Sequence, residues 1–261
     1  MFKTRLPRCS WFYGLMLSTG LVIGQGSLLQ AATPDTAPKQ LTDLITAIES
    51  QANGHQLEGL MRLYSPEFRN SDGLYYDYVK SGTQALWKRF PDAKYTTQLM
   101  GWEQKDGQLI ADTITTITGS QNMISRTITM ESTIRSRQYF KNGQLTWQEV
   151  LSEITKIKSG DKPPEVRINL PDRAKVGSRF AFDVIVNQPL GNDVMLGGVL
   201  EERIGGEKYL NPGVFDLDVL PAGGIFKTVK APLLPDNLWY SAILVRGDGM
   251  VLVTQRVTIE E

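Results

Sequence analysis

The Asn142-Gly143 pair, set between two long strand-like runs, constrains this chain more than any other feature. Both residues of a two-residue hairpin loop need positive φ, and Asn followed by Gly supplies it at least cost. The runs from Met123 to Phe140 and from Leu145 to Ile157 are therefore predicted to lie antiparallel. Such a loop also sets a register. Lys141 faces Gln144, and one face of the ribbon then carries Phe140 with Leu145, Gln138 with Trp147, Ser136 with Glu149, Ile134 with Leu151, Ser132 with Glu153 and Ile128 with Ile157. The other face carries Arg137 with Gln148, Arg135 with Val150 and Thr133 with Ser152. The first face is the more apolar and is expected to cover helices. It nevertheless includes Glu149 and Glu153, and a carboxylate on a core-facing side needs a partner or a cavity. A bulge in so long a hairpin would turn such a residue outward. Asp106-Gly107 predicts a second hairpin, between a run ending at Trp102-Glu103 and one beginning at Leu109-Ile110.

Upstream the period is helical. Leu41, Leu44, Ile45 and Ile48 share one face, and Asn53-Gly54 ends that helix. A second helix carries Leu57, Leu60, Met61 and Tyr64 and stops at Ser65-Pro66. Ser71-Asp72-Gly73 is a turn, and a third helix runs from about Leu74 to Phe90, before Pro91. Three helices, including Glu58-Gly59-Leu60-Met61-Arg62-Leu63-Tyr64-Ser65-Pro66-Glu67-Phe68, followed by a long curved antiparallel sheet, resemble the nuclear transport factor 2-like superfamily over roughly residues 38–158. The resemblance implies a cone-shaped fold with a pocket between sheet and helices. That superfamily includes ketosteroid isomerases and polyketide cyclase-like proteins, as well as ligand binders and interaction modules, so fold alone chooses no activity. The catalytic pattern of the ketosteroid isomerases does not map onto this sequence residue by residue.

Lys158-Ser159-Gly160-Asp161-Lys162-Pro163-Pro164 is a run of breakers and charges and predicts a linker. Beyond it lie short strand candidates, among them Phe180–Val186, Phe226–Val229, Trp239–Val245 and Val251–Val257, separated by Gly- and Pro-rich turns. The spacing predicts an all-β sandwich. It resembles immunoglobulin-like domains, without either cysteine of their usual disulfide. The expected organisation is a signal segment over 1–32, a nuclear transport factor 2-like cone over 33–159 and an immunoglobulin-like β-sandwich over 160–261. The expected fold class is α+β: three N-terminal helices on a curved antiparallel sheet, then the sandwich.

The leader carries Lys3, Arg5 and Arg8, an interrupted apolar middle and small residues at Ala31-Ala32, the parts of a cleavable secretory signal. The rival reading is an uncleaved anchor. Export would place the protein in the periplasm or, if the source is cyanobacterial, in the thylakoid lumen. The one cysteine, Cys9, leaves with the signal, which excludes disulfides, thiolate catalysis and zinc–thiolate sites from the remainder. Lys and Arg total 28, as do Asp and Glu, so loss of the three leader cations leaves 25 against 28. A weakly acidic, mixed surface argues against nucleic acid as a partner.

The lone histidine, His55, follows Asn53-Gly54 and reads as a helix-end residue, and no Gly-x-Ser-x-Gly elbow accompanies it. Asp72, Tyr75, Tyr76 and Asp77 cluster at the entry of the third helix, where Tyr and Asp could polarise a carbonyl and move a proton, or where Asp72 simply caps the helix. Asp72, Glu149, Tyr75 and Tyr76 are the catalytic candidates. Tyr76, Trp102, Trp147, Glu149 and Glu153 are the expected ligand contacts. The face bearing Arg135 and Arg137 is the expected surface for a homodimer. Arg246-Gly247-Asp248 spells an adhesion tripeptide but has a plain role beside a hairpin turn. No cofactor and no metal is expected. Three functions stay open: a non-catalytic exported protein holding a small apolar ligand or an envelope protein, an isomerase, cyclase or dehydratase with a pocket carboxylate as base, and an assembly factor for envelope or thylakoid membrane complexes.

Overall fold

The computed structural model describes residues 32–124, 126–187, 194–220 and 223–261; the expected signal segment lies almost wholly outside them. The described chain begins with a 3-10 turn, Pro34–Thr36, then α1 (Lys39–Asn53), α2 (Leu57–Arg62), β1 (Tyr64–Asn70) and α3 (Tyr76–Arg89). Four long strands follow: β2 (Lys94–Lys105), β3 (Gln108–Met123), β4 (Arg126–Lys141) and β5 (Gln144–Gly160). Next come β6 (Val166–Asn169), β7 (Arg173–Lys175), β8 (Arg179–Val186), β9 (Leu196–Arg203) and α4 (Gly206–Leu210). The chain closes with β10 (Asp218–Val219), β11 (Gly224–Lys230), β12 (Asp236–Arg246) and β13 (Gly249–Glu260).

Both predicted hairpins form. Asp106 and Gly107 take φ of 51° and 74°, Asn142 and Gly143 take 52° and 77°, as a two-residue turn requires. Helix α1 lays Leu41 and Ile45 on Ala111, Phe140 and Leu145, which its spacing dictates. Each such fully buried apolar side chain contributes about 1.5–3 kcal/mol. His55 ends this region with φ of 51°, its ring stacked on Trp87 at 4.6 Å and its Nε2 3.2 Å from the Ala93 carbonyl.

The register departs from the simple hairpin in two steps. Phe140 faces Leu145 as expected, but Tyr139 then faces Trp147, and further along Ser136 faces Val150 while Arg135 faces Ser152. Each step is a bulge that adds one residue to β5, Thr146 and then Leu151. Because side chains alternate, one added residue moves everything beyond it to the other face. Glu149 therefore pairs with Arg137 on the outer face, which corrects its expected place beside Ser136. Trp147 moves outward with it. The second bulge restores the phase, so Glu153 lies on the helix side opposite Ile134.

Ten strands join in one sheet in the order β10-β9-β12-β13-β5-β4-β3-β2, with β1 paired to β5 and β7 to β13. The small sheet β11-β8-β6 packs on the outer side of the C-terminal strands, through Phe182, Val184 and Val186 against Val251, Val253 and Val257. This corrects the expected fold class. The structure is mostly β, with a strand between the second and third helices and one large, mainly antiparallel sheet in place of a three-helix layer on a cone followed by its own sandwich. Two local causes are visible. Ser65-Pro66 lies inside β1 where the pairing with β5 shifts register, so Pro66 is accommodated at an irregularity. And β5 is long enough for residues 154–160 to pair with β13 beyond the stretch that serves β1.

The β2 edge of the large sheet is covered from within the chain. Asn53 bonds both the N–H and the C=O of Tyr95, at 2.7 and 2.9 Å, and Glu49 accepts from the Thr97 N–H at 2.6 Å. Ala32 pairs with Trp102 through two backbone bonds.

Candidate functional site

Three parts of the chain meet at one edge of β5. β1 occupies that edge as far as Gln148, and β13 takes it over from Ile154. Residues 71–74 turn through the gap. Ser71 fastens the turn: its N–H donates to the Gln148 carbonyl at 2.9 Å, and its hydroxyl accepts from the Val150 N–H at 3.0 Å. Asn70 Oδ1 accepts from the N–H groups of Asp72 and Leu74, at 3.0 and 2.8 Å. Such an Asx turn holds the backbone tightly, and it aims Asp72 at Arg256.

Arg256 follows the last β13–β5 pair, Gln255 with Ile154, and itself pairs with Trp239 on β12. Glu153, Arg256 and Trp239 thus form one row on the helix side. Arg256 Nη2 donates to Asp72 Oδ2 at 2.5 Å and stands 3.9 Å from Glu153 Oε2. Trp239 Nε1 donates to Glu153 Oε2 at 3.0 Å. Tyr209 on α4 closes the group, its hydroxyl donating to Asp72 Oδ2 at 3.1 Å and its ring edge-on to Trp239 at 4.6 Å. A Cβ at Gly206 would fall 2.9 Å from the Tyr78 ring, so this glycine lets α4 approach α3.

The side chains of Asp72 and Arg256 are 0% exposed. Burial holds the Glu153 carboxyl above its ordinary value; Asp72 adds to this, while Arg256 and the Trp239 N–H oppose it. The Tyr209 phenol is pushed well up, first by burial and then by Glu153 and Asp72. A cluster of this kind ties elements together around the fully buried Asp72–Arg256 pair, while the Glu153 side chain keeps 12% exposure.

The other candidates lie elsewhere. Tyr75 is exposed and precedes α3 without a side-chain cap, its ring edge-on to Tyr78 and 5.4 Å from the Arg69 guanidinium carbon. The α3 N-terminus is therefore not capped by Asp72. Tyr76 opens α3, and among the described residues it makes no hydrogen bond to Asp72 or Glu153. Trp102 packs beside α1 and donates from Nε1 to Thr36 Oγ1 at 3.0 Å. Trp147 is exposed. The structure therefore unites Asp72 with Glu153 and leaves the rest apart. Arg256, Tyr209 and Trp239 were missing from the sequence-based set. The one available signal was a cation inside the apolar run Val251–Ile259.

Among the described residues, two of the clefts bear on function. On the outer face, Asp112, Arg135, Arg137, Glu149 and Arg173 border a cleft of about 470 Å³. Arg137 donates to Asp112 at 3.0 Å and lies 3.6 Å from Glu103, whereas Arg135 is exposed and has no ionic partner among the described residues. On the helix side, Met123, Ile124, Ile128, Ser159 and Met250 border a cleft of about 620 Å³, next to the Phe90–Met130 cluster. Ser159 is 3% exposed, and its hydroxyl has no partner among the described residues. Among those residues no group of three or more His, Cys, Asp or Glu side chains is placed to hold a metal ion, and no helix is long and apolar enough to cross a membrane.

Residues 161–260 match a family model described only as a domain of unknown function (DUF8623). No curated protein matches the chain. Among solved structures, Bd1075 of Bdellovibrio bacteriovorus is 14% identical with a TM-score of 0.32, over 42% of this chain and 38% of that one. A putative scytalone dehydratase from Novosphingobium aromaticivorans is 8% identical with a TM-score of 0.36, over 42% of this chain and 80% of its own. IdmH, a putative polyketide cyclase from Streptomyces antibioticus, is 16% identical with a TM-score of 0.33, over 45% and 92%. Likeness at this level assigns no activity.

Proposed function

We propose that this is an exported, non-catalytic binding protein that holds a small, largely apolar molecule in the cleft between Met123, Ile128, Ser159 and Met250. The Ser159 hydroxyl carries this reading: it is buried, unpartnered among the described residues, and borders a wall in which Met123, Ile124, Ile128 and Met250 stand beside Gln121, Asn122 and Arg126. A buried hydroxyl without a partner is costly, and a ligand acceptor or donor placed there removes the cost. Small-molecule sites of roughly 300–1,000 Å³ combine apolar walls with a few such polar groups. No cofactor enters this reading.

The burial of Asp72, and its separation from Glu149 on the outer cleft, weigh against the isomerase-type alternative. A general base must come within about 2.6–3.2 Å of the proton it takes. Asp72 is sealed behind Arg256 and Tyr209, and Glu149 faces away from Glu153 across the sheet. An apolar fluorescent probe, anilinonaphthalene sulfonate, should bind the folded chain one to one. Met250→Glu should weaken it about tenfold while circular dichroism stays unchanged, since a charge in an apolar site is expensive. Equal binding by Met250→Glu would sink the assignment of the site.

A second reading rests on Arg135. An exposed arginine without an ionic partner among the described residues, beside Glu149 and Asp112, makes the outer cleft self-complementary in charge, which suits a homodimer through the face bearing Arg135 and Arg137. Sedimentation should show a dimer that Arg135→Glu dissociates; a monomer at high concentration removes this reading.

A further inference from the structure

We infer that the outer edge of β11 is a docking strand for an extended acidic segment of another protein. The inference does not depend on the ligand cleft. The small sheet runs β11-β8-β6, so among the described residues β11 has a partner on one side only. In an antiparallel pair, alternate residues aim both backbone groups at the partner. The Ala231 N–H donates to Ser178 and the Gly223 carbonyl accepts from Val186, so the odd-numbered residues face β8. Phe226, Thr228 and Lys230 therefore aim their N–H and C=O groups outward, and these have no partner among the described residues. The covered β2 edge shows the contrast: there Asn53, Glu49 and Ala32 occupy the outward groups. Addition of a strand from another chain satisfies such a row directly.

Side chains select the occupant. Lys230 lies directly opposite Arg179, and like charges so placed destabilise a sheet unless an anion joins them. Arg167 shares their face, Lys227 is exposed on the same strand, and Phe226 is 63% exposed. Within β6, β8 and β11, the acid on this face is Asp183, and it is engaged by Asn169 Nδ2 at 2.9 Å. A second copy of the edge would bring its own Lys227 and Lys230 alongside, which cationic edges use to prevent self-pairing. An extended segment with acidic residues at alternate positions, and an apolar one near Phe226, fits instead.

The test is amide hydrogen exchange on the full chain, with the synthetic peptide Val-Glu-Val-Glu-Val-Glu-Val as probe. The amides of Phe226, Thr228 and Lys230 should exchange fast in the free protein, while Ile225 and Val229 are protected. Peptide binding should slow the three outward amides about tenfold, since each gains a hydrogen bond. Thr228→Pro removes an outward N–H without touching the bond to β8, and should weaken binding about tenfold with secondary structure intact. If that variant does not fold, a peptide N-methylated on the amides facing β11 should bind about tenfold more weakly to the parent protein. Absence of binding, slow exchange of the three amides in the free chain, or unchanged affinity in the folded Thr228→Pro protein or for the N-methylated peptide would each overturn the inference.

Discussion

Removing the Arg256 guanidinium would leave Asp72 buried with Tyr209 as its remaining side-chain partner among the described residues. Breaking a buried pair from one side typically costs about 3–5 kcal/mol. Arg256→Ala should therefore lower the urea midpoint by that equivalent, whereas the double replacement Arg256→Met with Asp72→Leu should recover most of it. Glu153 behaves differently. Its folded-state value is raised by burial, so the folded chain holds that proton more tightly than the unfolded chain. The stabilisation is complete below the ordinary value of 4.5 and is lost as pH rises through the folded-state value. Glu153→Gln cannot lose it, so stability measured from about pH 4 to about pH 8 should fall less with pH than in the parent. Asp72 and Glu153 stood out in the sequence because turn chemistry and strand alternation placed them. Arg256 did not, because a single cation in an alternating strand reads as solvent-facing until the crossing of β1, β5 and β13 is known.

At the level of elements, the α1 face and both hairpin turns were legible because they rest on contacts within a few residues. The long hairpin was legible only near its loop. A two-residue turn sets register where it stands, and the bulges at Thr146 and Leu151 reset it twice, which sent Glu149 outward and returned Glu153. Strand β1 was hidden by Ser65-Pro66, which stops a helix but tolerates a pairing irregularity. The junction of β5 with β13 depends on Gly160, whose φ is 92° and whose added Cβ would stand 2.5 Å from the Asp248 carbonyl oxygen. Gly160→Ala should cost about 1–3 kcal/mol in thermal denaturation.

For the whole molecule, pairing of residues 154–160 with 249–255 makes the N-terminal and C-terminal strands one sheet. No local pattern reveals a partner so far along the chain, which is why the sequence suggested two separate architectures. A shared sheet, tied again by Asp72 and Arg256, implies that both halves lose structure together. Arg256→Ala should therefore lower exchange protection in β3 and in β12 alike, as hydrogen exchange would show. The proposed binding role rests on where the polar groups lie: Asp72 is fully buried, and the Ser159 hydroxyl, unpartnered among the described residues, borders a cleft beside Met123, Ile128 and Met250. Native mass spectrometry of the protein purified from its own cell is the most direct check. A stable added mass of a few hundred daltons per chain, lost in Met250→Glu, is the expected result; a bare parent chain would contradict it.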